Sequence, residues 1–334
     1  KFLYYMDNLP NVSICTPTFN RRPFIPYLIK SYKDQTYPKN KMEWIIIDDG
    51  SDKIKDLVEN IEGVQYYSYD KKMTIGKKRN LLNEKSTGEI IIYMDDDDYY
   101  PPTRVEHAVK ELIKDKSKLI AASSEMFIYF NKIKKLYKFG PYNKNHGTAA
   151  TFAFRKELLK QTKFNDNASL SEEKEFLKNY SIPMIQLDPR QTILVFSHLH
   201  NTFDKNELLL NKNELVKESK ISLNTFIKNE ELYDFYIDNL NNIVDNYELG
   251  SILYKPDVII QKKQIEEQRD LNLSENNKFI TLKVGDEIKH LSKDEIIKIL
   301  QSQHDTIINQ SKIIDGKNQE ITLLKNNIKK QRFN

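Results

Sequence analysis

Four adjacent aspartates, Asp95, Asp96, Asp97 and Asp98, directly follow the apolar run at residues 90–94. Carboxylates this close repel one another, and a divalent cation or fixed hydrogen-bond donors would offset that repulsion. The apolar run predicts a buried strand, and ligands bind at the carboxyl ends of strands in open α/β sheets. The aspartates therefore indicate a ligand or metal site. The alternative is a solvated acidic turn or a helix N-terminus, where aspartate is favoured anyway.

Polar clusters also follow the two earlier predicted strands. Residues 12–16 lead into the stretch Thr16-Pro17-Thr18-Phe19-Asn20-Arg21, and residues 44–47 lead into Asp48-Asp49-Gly50-Ser51-Asp52. The carboxyl ends of parallel strands meet at one edge of a sheet, so we expect these clusters to lie near the four aspartates. Main-chain and hydroxyl groups of the first cluster suit a base and a ribose, and Asp49 can accept a hydrogen bond from a uracil N–H. An ordinary Asp-Gly-Ser turn is the alternative for the second cluster.

A basic stretch and an acidic pair complete the set of candidates. Lys77 and Arg79 lie at the start of a predicted helix over residues 75–84, where basic side chains and free N–H groups suit a diphosphate. A solvated basic face is the alternative. Glu172 and Glu173 open a predicted amphipathic helix that continues through Tyr180, with Ser169 or Ser171 as its cap. First-turn glutamates that favour the helix dipole are the alternative there.

The elements that must position these residues alternate along the chain. Apolar strand patterns occur at residues 12–16, 44–47, 64–69 and 89–94, with helical patterns at 23–35, 54–60 and 75–84 between them. Further strands are predicted at residues 119–129, 148–154 and 192–196. This alternation predicts an α/β fold with a largely parallel sheet flanked by helices.

Composition excludes several classes of protein. The chain has only 9 glycines and no G-x-G-x-x-G or P-loop motif, which argues against dinucleotide-binding and P-loop enzymes. The net charge of +4 is spread along the chain, so we expect no nucleic-acid partner. No apolar run reaches the length of a membrane span. The single cysteine, Cys15, fits a reducing compartment, and we expect a cytoplasmic protein, although an upstream targeting signal would lie outside this sequence.

Taken together, these motifs resemble glycosyltransferase family 2, whose members have the Rossmann-like GT-A fold. The resemblance rests on Pro17 to Arg21, Asp48 to Ser51, Gly76 with Arg79-Asn80, and Asp95 to Asp98 with Pro102, in that order, and it covers roughly residues 10–200. It implies a nucleotide-sugar donor. The composition and layout also resemble family members encoded by giant DNA viruses.

The resemblance also implies roles for individual residues. Asp97 becomes the first choice as metal ligand, with Asp95 and Asp96 near the ribose, the metal or both; the metal would be Mn²⁺ or Mg²⁺ and would bridge the donor phosphates. The catalytic base of the family lies in a Glu-Asp pair, which corresponds to Glu172 and Glu173. The second residue departs from the pattern, so either glutamate could be the base.

A histidine near the end of the core completes the metal site in many GT-A enzymes. His198 and His200 alternate, so on an extended segment they would face the same side and either could serve, with a plain surface histidine as the alternative. His146 is a candidate for the acceptor side.

The sequence changes character after residue 205. We expect a catalytic domain over residues 1–205, a helical extension over 206–275, and a hairpin with a long helix over 276–334. In that helix Leu300, Ile307, Ile314, Ile321 and Ile328 recur every seven residues, whereas only two of the five companion positions are apolar. This half-seam leaves open a coiled coil that forms a homodimer, or a helix laid along its own domain.

We therefore expect a metal-dependent transferase that moves a hexose from a UDP-sugar to a hydroxyl of a sugar or protein-linked glycan, such as that of a collagen-like protein. One alternative is a nucleotidyltransferase, although such enzymes usually have a glycine-rich loop after the first strand. The other is a non-catalytic oligomeric scaffold with a degenerate transferase fold.

Overall fold

The computed structural model describes residues 9–210, 214–276, 279–284 and 287–331, without the side chains of residues 270–290, 293, 323 and 326–331. The polypeptide forms two compact units, Lys1–Lys262 and Lys263–Asn334. Within the described residues, no helix is both long and apolar enough to cross a membrane.

A seven-stranded sheet forms the centre of the first unit. In order across the sheet its strands are β3 (Val64–Ser68), β2 (Met42–Asp48), β1 (Val12–Thr18), β4 (Ile90–Tyr93), β8 (Ala153–Arg155), β5 (Ile120–Ala122) and β9 (Met184–Gln186). The pairs among β1 to β4 are parallel, as expected, whereas β8 runs antiparallel to β4 and to β5. The α/β class is confirmed, and the sheet is mixed.

The described residues form ten α-helices, the last of which belongs to the second unit. In chain order they are α1 (Ile25–Lys33), α2 (Lys55–Val58), α3 (Ile75–Lys85), α4 (Arg104–Lys114), α5 (Glu173–Phe176), α6 (Glu207–Leu210), α7 (Glu230–Tyr233), α8 (Leu240–Asp245), α9 (Pro256–Asn276) and α10 (Lys293–Gln331). A π-helix, Asp234–Asn239, joins α7 to α8.

The strands read as continuous apolar runs because both faces of the sheet are covered. Successive side chains point to opposite faces, so Ile14 and Ile92 join the core beneath α1 and α4, whereas Ile45 and Ile91 join the core beneath α3. This two-sided burial fixes the strand ends, and with them the loops that carry the site.

A second sheet and the residues beyond 205 pack into the same unit. The strands of this sheet, in order, are β10 (Leu194–Ser197), β6 (Met126–Phe130), β7 (Lys135–Phe139) and β11 (Val216–Glu218). The Tyr236 ring, in the π-helix, stacks on Phe196 with centroids 4.5 Å apart, and its hydroxyl donates to the Asp98 carbonyl at 2.9 Å. The chain predicted as a separate extension is therefore part of the first unit as far as residue 262.

Three predicted elements differ from the structure. In the strand expected over residues 148–154, Ala149–Thr151 form a 3-10 helix and only β8 is a strand. The strand expected over residues 119–129 is two strands, β5 and β6, which belong to different sheets. The helix expected to continue through Tyr180 is the single turn α5, because Lys178, Asn179 and Tyr180 have positive φ. The expected serine cap is also wrong: Glu172 precedes α5 and the helix has no side-chain cap.

The second unit contains the predicted hairpin and long helix. β12 (Phe279–Val284) pairs antiparallel with β13 (Glu287–Ser292), and the predicted turn at Gly285-Asp286 lies outside the described residues. At the start of α10, Ser292 and Glu295 exchange hydrogen bonds as the capping-box pattern predicts.

Candidate active site

A cavity of about 270 Å³ opens where β1 and β4 end. Pro17 and Phe19 line it, and Thr18 lies buried between them. The ammonium groups of Lys72 and Lys78 lie 5.2 and 5.7 Å from the centre of the Phe19 ring. An aromatic face beside two cations suits a nucleobase attached to phosphate. Phe19 occurs in the motif but was not among the predicted binding residues.

Two of the four aspartates after β4 are held by protein groups. Asp95 accepts two hydrogen bonds from the Arg79 guanidinium, each 3.2 Å long. Asp98 accepts one from the main-chain N–H of Phe196 at 3.1 Å. Burial raises the pKa of Asp95 against the opposing charge of Arg79, and burial raises the pKa of Asp98 well above its usual range. Asp95, predicted near the metal, is thus bound to Arg79.

The other two aspartates surround Arg21. Asp96 lies 3.6 Å from Nε of Arg21, and burial raises the pKa of Asp96 to about 7 although Arg21 opposes the shift. Oδ2 of Asp97 lies 3.5 Å from Nη2 of Arg21 and 3.4 Å from Nε2 of His198. Burial disfavours the ionised form of Asp97, but the hydrogen bond with His198 and the charge of Arg21 hold its pKa well below the usual range. Asp97 is therefore the ionised carboxylate nearest an imidazole.

The two histidines after β10 do not face the same side. The main-chain N–H of Asn201 donates to the His198 carbonyl at 3.2 Å, so the segment turns instead of remaining extended. His198 contacts Asp97, and burial lowers the pKa of His198 to about 4. The His200 ring packs on Gly250, where an added Cβ would lie 2.4 Å from its Nδ1. The structure brings His198 to the acidic run and directs His200 to the chain around Gly250.

Several residues predicted to bind the nucleotide connect parts of the protein instead. The Thr16 hydroxyl accepts a hydrogen bond from Nε1 of Trp44 at 2.9 Å, within the sheet interior. The Asn20 amide accepts from the Asp52 N–H at 3.0 Å and donates to the Leu249 carbonyl at 3.0 Å. Their side chains have no free face toward the cavity, because the available donors and acceptors are used inside the fold.

On helix α3, the lysine that lines the cavity is Lys78, one position after the predicted Lys77. Lys77 is exposed, whereas Lys78 is buried and bonds Asp49 at 2.6 Å. The other Asp49 oxygen accepts from the Met73 N–H at 2.5 Å, so the carboxylate expected to read uracil lies behind the cavity wall. Adjacent helical residues point about 100° apart, which is why one position decides between solvent and site.

The two candidate bases differ in their surroundings. Glu172 lines the cavity and accepts from Nε of Arg79 at 2.8 Å. Glu173 is half-buried, and burial followed by the charge of Glu172 raises its pKa to about 7. Helix α3, which carries Arg79, packs closely on the loop that precedes α5, because a Cβ on Gly76 would fall 1.9 Å from the Asn165 carbonyl oxygen. Glu172 is thus the ion-pair partner of Arg79, whereas the pKa of Glu173 lies near neutrality.

His146 belongs to an aromatic cluster beside these glutamates. Its ring stacks on Tyr180 at 5.0 Å between centroids and lies 4.8 Å from Tyr142. Burial lowers the pKa of His146. Burial and then the charge of Glu173 raise the pKa of Tyr180, so the cluster neighbours that carboxylate. His146 does not line the cavity itself.

Residues 247–258, here called the closing segment, form a further wall of the cavity. Arg21 donates to the Gly250 carbonyl at 3.1 Å, and Asp257 pairs with Lys72 at 2.5 Å. Lys255, Asp257 and the adjoining Val258 all line the cavity. Sequence reasoning missed this wall because Lys-Pro-Asp is an ordinary helix-start sequence without a recognisable binding motif.

The side chains of the site supply only part of the ligand set that a divalent cation needs. Across the described residues, no group of three or more His, Cys, Asp or Glu side chains could hold a metal ion. Asp97 and His198 do offer an oxygen and a nitrogen 3.4 Å apart, near the spacing of about 3 Å between adjacent ligands in an octahedron. Mg²⁺ commonly takes its remaining ligands from substrate phosphates and water. A site completed by the donor's phosphates therefore fits Asp97, which lines the cavity, whereas the His198 side chain is fully buried and does not line it.

Residues 13–163 match the family model described as Glycosyl transferase family 2. The match covers slightly less than half of the 334 residues and includes β1, β4, α3 and the acidic run. Glu172, His198 and the closing segment lie beyond it.

Curated relatives share shorter stretches with the chain. It is 29% identical over 113 residues to the poly(ribitol-phosphate) beta-N-acetylglucosaminyltransferase TarS of Staphylococcus aureus, covering 32% of this chain and 18% of that protein. It is 34% identical over 97 residues to the GalNAc(5)-diNAcBac-PP-undecaprenol beta-1,3-glucosyltransferase of Campylobacter jejuni, covering 27% of this chain and 30% of that one. The chain thus spans less than a third of these two relatives.

Solved structures with some likeness include S. aureus TarS 1–349 in complex with UDP-GlcNAc, at a TM-score of 0.42 and 19% identity. That likeness covers 56% of this chain and 58% of the other. The mannosyltransferase PcManGT from Pyrobaculum calidifontis, in complex with GDP-Man and Mn²⁺, gives a TM-score of 0.46 at 17% identity, with 57% of each chain covered.

Proposed function

We propose that this chain is a glycosyltransferase that moves a hexose from a UDP-sugar to an acceptor hydroxyl. The observation that carries the proposal is the meeting of Asp97 and the Arg79–Glu172 pair at one cavity where parallel strands end, with the buried His198 ring against Asp97. The match of residues 13–163 to glycosyl transferase family 2 supports the same chemistry. In this proposal the nucleotide lies along Pro17 and Phe19.

Mn²⁺ or Mg²⁺ is part of the proposal, held by Asp97 and His198. When bound, the cation would offset negative charge on the two phosphates as the nucleoside diphosphate leaves. Arg21 sets the position of Asp97 through its 3.5 Å contact, and the same guanidinium is fixed by the Gly250 carbonyl. The carboxylate that would bind metal is thus kept ionised and in place by the protein.

Glu173 is the proposed general base. A base works best when its pKa lies near the working pH, and the pKa of Glu173 is raised to about 7. It would accept the proton of the acceptor hydroxyl as that oxygen attacks the anomeric carbon. Glu172 has another role in this scheme, because its carboxylate fixes the Arg79 guanidinium at 2.8 Å.

The acceptor would approach over the aromatic cluster of Tyr142, His146 and Tyr180. Flat rings suit the apolar face of a sugar, and this cluster neighbours Glu173. We therefore propose a sugar or protein-linked glycan as acceptor, with a collagen-like glycopeptide as one candidate to test.

We also propose that α10 joins two copies of the chain. Leu300, Ile307, Ile314 and Ile321 are 47 to 64% exposed at heptad spacing, which leaves an apolar stripe along the helix. A second copy of the same helix would cover that stripe in a coiled coil. The side chain of Ile328, the last of the series, lies outside the described residues.

The proposal is tested by incubating the purified chain with a panel of nucleotide sugars and Mn²⁺, and measuring release of nucleoside diphosphate. We expect one UDP-sugar to be hydrolysed slowly without acceptor, and this release to stop in the presence of a chelator. Silence across the panel, together with no thermal stabilisation by UDP and Mn²⁺, would refute the transferase and favour a scaffold.

A further inference from the structure

The basic side chains that line the cavity are almost all paired with acids. Four of the five have a carboxylate within 4.0 Å: Arg21 with Asp96 and Asp97, Lys72 with Asp257, Lys78 with Asp49, and Arg79 with Asp95 and Glu172. The fifth is Lys255, which has no such neighbour among the residues that the structure describes.

Lys255 is buried all the same. Its residue is 5% exposed, and its ammonium donates one hydrogen bond, to the Thr202 hydroxyl at 3.0 Å. An ammonium has three protons to donate, and lysine is almost never buried without a partner. Burial, reinforced by the charge of Arg21, lowers the pKa of Lys255 well below its usual range. The site thus contains a desolvated lysine whose charged form a nearby anion would stabilise.

The position of Lys255 is fixed from both sides of the cavity. Two residues on, Asp257 pairs with Lys72 and accepts from the Ser169 hydroxyl at 2.6 Å. One turn further along α9, Gln261 accepts from the Ser169 N–H at 2.7 Å. These contacts tie the start of α9 to the loop before α5, and Lys255 directly precedes that helix start.

We propose that Lys255 binds the diphosphate of the nucleotide donor and stabilises the departing nucleoside diphosphate. This inference rests on the proposed transferase function. In the transfer, the acceptor oxygen forms a bond to the anomeric carbon, and its proton goes to Glu173. The bond from that carbon to the phosphate oxygen breaks, and its electron pair stays on the oxygen, which Lys255 meets with an N–H donor.

The same assignment gives the chain beyond residue 205 a part in the donor site. Arg79, expected to face the diphosphate, already has two carboxylates around its guanidinium, whereas Lys255 has no carboxylate within 4.0 Å among the described residues. The closing segment then supplies the cation that the matched segment, residues 13–163, offers only in neutralised form.

Calorimetric titration of UDP and of uridine, in Mn²⁺, tests the assignment with the full chain. Lys255→Met should weaken UDP binding about tenfold or more, because a charge-assisted hydrogen bond is lost, and should leave uridine binding unchanged. Lys262→Met is the matched control seven residues further along the chain, since Lys262 pairs with Glu207 and does not line the cavity. Lys255→Arg should restore part of the UDP affinity.

Thermal melting of the nucleotide-free variants separates binding from folding. A buried lysine that has no anion beside it destabilises the nucleotide-free protein, so Lys255→Met should melt no lower than the unsubstituted chain. UDP affinity within twofold of the unsubstituted chain would overturn the proposal. A lower melting temperature with equal losses for UDP and uridine would also overturn it, by making Lys255 structural. Absence of UDP binding in the unsubstituted chain would instead refute the transferase itself.

Discussion

Replacing Glu173 by glutamine tests the proposed mechanism most directly. The substitution keeps the size of the side chain and removes its ability to accept a proton. General bases contribute about 10²- to 10⁴-fold to rate, so we expect a loss of that order in donor hydrolysis or transfer. UDP affinity should stay within about twofold, because Glu173 does not line the donor cavity.

The pH profile of the unsubstituted chain gives the same prediction a sign. Only the ionised carboxylate can accept a proton, and burial raises the pKa of Glu173 to about 7. The ionised fraction is then about one tenth at pH 6 and about one hundredth at pH 5. Turnover at saturating donor should therefore rise roughly tenfold per pH unit below neutrality and level off above about pH 8. Initial rates of UDP release across this range provide the measurement.

Two controls protect the assignment. Glu172→Gln removes both a partner of Arg79 and the charge that, after burial, raises the pKa of Glu173, so it should weaken donor binding and shift the pH inflection to lower pH. The pKa of Asp96 is also raised to about 7, and its titration would appear in a parallel series of UDP-binding measurements. A flat rate profile, or a Glu173→Gln variant with more than a tenth of the original rate, would refute Glu173 as the base.

Three further results are expected. Gly76→Ala should lower the unfolding free energy by about 3 kcal/mol or more, because the added Cβ would fall 1.9 Å from a carbonyl oxygen. Gly316→Ala should raise it by about 0.5–1 kcal/mol, because an added Cβ there meets no described atom within 4 Å. Equal melting temperatures for the two variants would contradict this reasoning. Asp97→Asn should weaken Mn²⁺-dependent UDP binding about tenfold or more. Asp98→Asn should stay within about twofold, because Asp98 accepts a hydrogen bond from the Phe196 N–H and does not line the cavity. Calorimetry that finds the two variants alike would count against the metal assignment. Ile314→Lys should convert a dimer into a monomer in light scattering, and an unchanged mass would exclude a coiled coil through α10.

The parts of the fold that follow from local physics were predictable. The run at residues 90–92 is apolar because both faces of β4 are covered, and a short, fully buried apolar run of this kind is typical of a central strand. The acidic residues after it had to be at the strand's carboxyl end. Hence the α/β class and the parallel arrangement of β1 to β4 could be predicted from the sequence.

Side-chain direction and distant contacts were not predictable in the same way. Lys77 and Lys78 are indistinguishable by type, and only the rotation of α3 sends Lys78 inward. His200 turns away because Asn201 closes a turn after β10, a choice that depends on the packing around Gly250. The closing segment reaches Asn20 across 229 residues of sequence, a separation at which no local pattern records the contact.

That separation has a consequence for how such a domain can be transplanted. A recombination breakpoint at residue 163, or at residue 205, would leave every motif of the nucleotide-binding sheet intact and still deliver an incomplete module. The smallest segment to transfer is the first compact unit, Lys1–Lys262, because Leu249 and Gly250 accept hydrogen bonds from the loop that follows β1. Chimaeras built on the visible motifs alone should fold around a cavity with one wall missing.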